Sequence, residues 1–146
     1  MASALTKKIK SGGNEYDLVI GVARGGIPVA MVVADMLGAR IDIINIKSYT
    51  GVAVRNKPKI ISTLTSGVEG KRLLIVDDLV DEGKTMRTVI RYLKRMRPGA
   101  MHTAVLFKKP WSRIEPDFYF KTTDRWIVFP WDIWEMKRLD SLSRKD

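Results

Sequence analysis

Residues 73–85 read Leu-Leu-Ile-Val-Asp-Asp-Leu-Val-Asp-Glu-Gly-Lys-Thr and constrain the fold more than any other part of the chain. The segment opens as an apolar run of strand length, the pattern of a strand covered on both faces of a parallel sheet. It then carries three carboxylates, Asp77, Asp78 and Asp81, followed by a Gly-Lys-Thr turn. After the turn, Met86, Val89, Ile90, Leu93 and Met96 recur at helical spacing. A strand, a loop and a helix start in that order make an anion site, because the unpaired N–H groups of the first helical turn point at the ligand. Acids beside such a cradle suit a ligand with phosphate and also hydroxyl or metal groups, a combination found in a sugar phosphate. The loop is not a Walker A loop, since Asp78 stands where that motif has its first glycine.

The flanking sequence repeats the strand–helix alternation. Residues 18–22 are a short apolar run, followed by the glycine loop Ala23-Arg24-Gly25-Gly26. Pro28 suits a first helical turn, residues 29–37 read as helix, and Gly38 closes it. Residues 41–46 read as strand, 49–58 as a polar, basic loop, and 60–64 as a further strand. Pro98 and Gly99 stop the helix that follows Thr85, and 101–107 is the next strand. This order predicts an α/β fold: a mainly parallel, twisted sheet with helices on both faces, in a single domain over 1–146. From Lys108 onward the composition changes, and all four tryptophans lie there: Trp111, Trp126, Trp131 and Trp134. Residues 108–146 therefore read as a small appended lobe, too short to fold alone.

Composition narrows the chemistry. There are no cysteines, so neither disulfides nor thiolate catalysis operates. No window reaches transmembrane length, and residues 1–10 lack a signal-peptide core, so a cytoplasmic protein without a membrane partner is expected. The net charge of +10 favours anionic partners, either small substrates or nucleic acid. The basic residues are spread along the chain without a nucleic-acid motif, so nucleic acid is not the expected partner. His102, the only histidine, reads as structural, and no histidine pair suits a metal.

The acidic stretch resembles the phosphoribosyl diphosphate (PRPP) motif of type I phosphoribosyltransferases: a hydrophobic strand, two acids, two apolar residues, an acid and a short Thr-Gly-Lys-Thr-like loop. The chain departs from that pattern at Glu82, where the family usually has Thr. The resemblance implies that Glu82, Gly83, Lys84 and Thr85 hold the 5′-phosphate. It implies that Asp77 and Asp78 face the ribose hydroxyls, directly or through Mg²⁺. Arg24, Gly25 and Gly26 would take the pyrophosphate, with a non-proline cis peptide between Arg24 and Gly25. Ser48 and Tyr49, in Lys47-Ser48-Tyr49, resemble the base of a mobile catalytic loop that closes over the site.

Two further segments resemble the 6-oxopurine branch of the family, the xanthine-guanine and hypoxanthine-guanine phosphoribosyltransferases of archaeal and bacterial type. Phe107-Lys108-Lys109-Pro110 is similar to a segment whose lysine contacts the purine O6, a role that falls to Lys109, with Lys108 as second choice. Residues 126–132, Trp-Ile-Val-Phe-Pro-Trp-Asp, are similar to the purine platform. There Trp126 would stack on the base and Ile127 would offer its backbone to the group at C2, making residues 108–146 a base-binding hood. A lysine ammonium has only donors, so it accepts a carbonyl at C6 and disfavours an amino group. The implied reaction joins PRPP and a purine base into a nucleoside 5′-monophosphate, with Asp81 as general base and a homodimer or tetramer as the assembly. The segment before Leu18 lacks the aromatic start the resemblance leads one to expect, so part of a subunit contact or of the hood is expected to be missing. The alternatives are another nucleobase, or a non-catalytic regulator that keeps the PRPP fold and binds nucleotide or nucleic acid.

Overall fold

The computed structural model describes residues 1–48 and 57–143. Its centre is a six-stranded sheet of β1 (Leu18–Ala23), β2 (Arg40–Ser48), β3 (Pro58–Ile60), β4 (Arg72–Val80), β5 (Ala100–Lys108) and β6 (Phe118–Thr122), in the order β3-β2-β1-β4-β5-β6. All neighbours run parallel except β2 and β3. The central pairing sets Leu18 beside Leu73 and Gly21 beside Val76, so the apolar runs of β1 and β4 lie side by side.

The period of two in those runs sends alternate residues to opposite faces. Val19, Leu74, Val76, Ala104 and Leu106 face one layer, made by α1 (Ala2–Ser11) and α2 (Gly26–Leu37). Leu18, Ile20, Leu73, Ile75 and Val105 face the other, where α3 (Lys84–Lys94) packs Met86, Val89 and Leu93. Burying each such Leu or Ile contributes ~1.5–3 kcal/mol, so the two cores fix β1 and β4 as the rigid axis of the molecule. Gly21 faces α2, where an added Cβ would meet the Ala30 methyl at 2.9 Å, so this glycine permits close helix–sheet packing.

Four features differ from expectation. The acids do not end the central strand: β4 continues through Asp77 and Asp78 to Val80, because its ladder with β5 runs on to Val80 and Lys108. The strand expected at 60–64 is only Pro58–Ile60. Beyond it, the Asp42 carboxylate accepts the N–H groups of Thr65 (2.9 Å) and Ser66 (2.8 Å), which replaces ladder bonding with a side-chain tie. The segment before Leu18, for which no element is read from the sequence, forms α1, whose Leu5 and Ile9 are fully buried. Residues 108–146 are not simply an appended lobe, since β6 extends the main sheet beside β5. A single 3₁₀ turn, Pro130–Asp132, then leads into α4 (Ile133–Ser143).

Candidate active site

The carboxyl end of β4 and the start of α3 line a cleft of about 280 Å³. Asp77, Asp81, Glu82, Gly83, Lys84 and Thr85 all face it, so six of the residues singled out from sequence converge. Such a position, beyond the carboxyl ends of strands in an open α/β sheet, is where ligands bind. The first turn of α3 has no side-chain cap, and its first helical bond runs from Arg87 N–H to Gly83 O at 2.9 Å. The earlier N–H groups remain as donors for an anion. Gly83 has φ +86°, a left-handed conformation, and a Cβ there would lie 2.9 Å from Ile114 Cγ1. Both the turn and the close approach require glycine.

The acids sit in different surroundings. Asp77 is 8% exposed, and its Oδ1 accepts the Asp78 N–H at 2.9 Å. Burial, then the charge of the neighbouring Asp78, pushes the Asp77 carboxyl well above the usual carboxylate range. Burial also raises Asp78, against the opposing effect of Trp131, whose indole Nε1–H donates to Asp78 Oδ2 at 3.2 Å. Asp81 is exposed on the loop, and its Oδ1 accepts the Trp111 Nε1–H at 2.6 Å. Glu82 turns to Lys84, with an oxygen 2.5 Å from the ammonium, and that bond holds its carboxyl below the usual range.

The glycine loop lies against the acid pair. A Cβ on Gly25 would fall 2.0 Å from Asp78 Oδ2, and one on Gly26 would fall 2.6 Å from Val76 O. The two glycines therefore bring the start of α2 onto β4. Arg24 is exposed, 3.8 Å from Glu135 of α4. The non-proline cis peptide is between Ala23 and Arg24, one residue earlier than the expected Arg24–Gly25 bond. Gly25 already has helical dihedrals as the N-cap of α2, so the chain reverses directly at the end of β1.

Lys109 is 5% exposed, and its ammonium donates to the Arg125 carbonyl, directly before Trp126. Lys108 diverges: its ammonium pairs with Glu115 and lies 5.1 Å from the Tyr119 ring centroid. Trp126 is 80% exposed, so its ring is not a core aromatic. Ile127 is half-buried against the core that holds Phe129. Ser48 ends β2, and Tyr49 lies outside the described residues. Sequence reasoning missed the two indoles on Asp78 and Asp81. The available signal was that an indole N–H is only a donor and needs an acceptor, and Trp111 and Trp131 both fall near segments already assigned to the site.

A family model described as the phosphoribosyl transferase domain matches residues 1–135. The chain belongs to the phosphoribosyltransferase family. A xanthine-guanine phosphoribosyltransferase of Cereibacter sphaeroides is 38% identical over 120 residues, 79% of this chain and 68% of that protein. The solved purine phosphoribosyltransferase of Pyrococcus horikoshii superposes with a TM-score of 0.79 at 37% identity, covering 89% of this chain and 85% of that one. The xanthine-guanine-hypoxanthine phosphoribosyltransferase of Helicobacter pylori has a TM-score of 0.77 at 26% identity, covering 96% and 91%. Within this phosphoribosyltransferase the mostly parallel six-stranded sheet is the family fold, and α4 fits the position of a hood. No helix among the described residues is long and apolar enough to cross a membrane.

Proposed function

We propose that this phosphoribosyltransferase transfers the 5-phosphoribosyl group of PRPP to a 6-oxopurine, giving a nucleoside 5′-monophosphate and pyrophosphate in purine salvage. The observation that carries the reading is the meeting, in one cleft, of Asp77 and Asp81 with the uncapped first turn of α3. The helix turn and Thr85 bind the 5′-phosphate, with Lys84 beside them. Asp77 and Asp78 face the ribose hydroxyls, and Arg24, Gly25 and Gly26 take the pyrophosphate. The exposed ring of Trp126 stacks on the base, a contact worth ~1–3 kcal/mol. Lys109, with two of its three donors beyond the one given to Arg125, meets O6, and the Ile127 backbone meets C2. Residues 1–146 act as one domain in which 108–146 supply the hood. A homodimer or tetramer in the cytoplasm belongs to the same proposal.

Mg²⁺ fits the acid pair. Two adjacent carboxylates whose burial opposes their ionisation gain from a hard cation, which keeps waters and shares substrate oxygens. When bound through Asp77 and Asp78, it would neutralise charge between the ribose hydroxyls and the leaving pyrophosphate. The base nitrogen attacks the anomeric carbon as pyrophosphate departs, through a transition state of oxocarbenium character. Asp81 accepts the proton near N7.

The test is Asp81→Asn. Turnover should fall roughly 10²–10⁴-fold, the usual contribution of a general base, while PRPP affinity stays within about twofold. Unchanged turnover at saturating substrates would remove Asp81 from the reaction.

A further inference from the structure

The turn carrying Lys109 is stitched to the loop carrying Asp81. Lys109 N–H donates to Val80 O at 2.9 Å, which continues the β4–β5 ladder to the residue before Asp81. Ser112 N–H closes the turn on Lys109 O at 3.1 Å. The Ser112 hydroxyl donates to Ile114 O at 2.8 Å, which sets Ile114 against Gly83. Trp111 stands in the middle of this turn. Its Nε1–H donates to Asp81 Oδ1 at 2.6 Å, and its ring centroid is 5.5 Å from the buried Lys109 ammonium. One side chain therefore touches both the acid assigned to the proton and the lysine assigned to O6.

We infer that Trp111 is a positioning residue that orients Asp81 for proton acceptance and sets it in register with Lys109. The inference rests on the proposed 6-oxopurine reaction. An exposed carboxylate on a loop has several rotamers, and a general base must reach the purine proton within hydrogen-bond distance. The indole N–H suits the task because it donates, does not accept and does not titrate. It occupies Oδ1 and leaves Oδ2 for the substrate. The cation over the ring face ties the same indole to Lys109. Trp111 is itself 53% exposed, so the fold does not depend on burying it.

Trp111→Phe keeps the ring and removes the donor. With the wild-type enzyme active on a 6-oxopurine, the variant should lose roughly ten- to a hundredfold in kcat, the scale of one hydrogen bond to a charged group. KM for PRPP and the unfolding temperature should stay at wild-type values. In an Asp81→Asn background the same substitution should lower kcat by less than about twofold, because there is no carboxylate left to orient. An unchanged kcat in the single variant, or an equal loss in both backgrounds, would overturn the positioning role and leave the reaction standing. A wild-type enzyme inactive on every 6-oxopurine would overturn the reaction and the positioning role together.

Discussion

At the residue scale, the cleft combines an acid that resists ionisation with one that is held ionised. Asp77 is raised by burial and by Asp78. A raised folded-state value favours the fold while the group is protonated. That contribution is present below the ordinary carboxylate value and is lost as pH rises through the folded one. Asp77→Asn keeps an acceptor for the Asp78 N–H and removes the buried charge. Without ligand, its unfolding temperature at neutral pH should rise by a few degrees, corresponding to ~1–2 kcal/mol, and the gain should close towards about pH 4. A calorimetric scan that shows no gain at neutral pH would mean that the Asp77 carboxyl ionises as readily in the folded chain as in the unfolded one. Glu82 is the opposite case. Lys84 holds it ionised at the surface, turned into an ion pair beside the first turn of α3. Glu82→Thr frees the lysine and removes one negative charge, so PRPP affinity by calorimetric titration should improve, by less than about tenfold because solvent screens the site. A larger gain would mean that Glu82 opposes the phosphate directly, which favours a regulator over an enzyme.

At the scale of elements, the segment after β3 is held by one buried acid. Burial alone would raise Asp42, but donors from Ser66, Ile43 and Thr65 outweigh it and lower its carboxyl. A lowered folded-state value gives stability that is present above the ordinary carboxylate value and lost as pH falls through the folded one. Asp42→Asn should therefore destabilise by ~1–3 kcal/mol at neutral pH and much less in acid. Amide exchange at Thr65 and Ser66 should quicken, and unchanged protection there would contradict the tie. The same residue explains why the strand ends at Ile60 rather than at Leu64: the short run Ile-Ile-Ser-Thr-Leu cannot reveal that the Thr65 and Ser66 N–H groups just beyond it go to a side chain on β2. The β1 loop, β4 and α3 were legible because long apolar runs are cut by Gly-Gly and Gly-Lys-Thr. α1 was not, because Leu5 and Ile9 alone, among lysines, make a short apolar stripe. β6 was not, because an edge strand of five half-buried and exposed residues has little pattern to read. The residues that line the cleft, Asp77 and Asp81 to Thr85, were legible from the phosphoribosyltransferase motif. The indole bonds of Trp111 and Trp131 were not, since they depend on contacts 30 and 53 residues apart in sequence.

At the scale of the whole molecule, two cores hold β1 and β4 side by side, and the Gly-Gly and Gly-Lys-Thr loops open at the carboxyl ends of those strands. The net charge of +10 over the whole chain favours encounter with a polyanionic substrate. On the base side of the proposed reaction, the exposed Trp126 ring and the buried Lys109 ammonium would select a purine with a carbonyl at C6. The most direct measurement follows labelled PRPP, with Mg²⁺, against guanine, xanthine, hypoxanthine, adenine and uracil, and counts nucleotide and pyrophosphate together. The expected result is equimolar pyrophosphate and nucleoside 5′-monophosphate from at least one 6-oxopurine, with adenine and uracil at background. Turnover on adenine or uracil alone, or no turnover on any base, would contradict it.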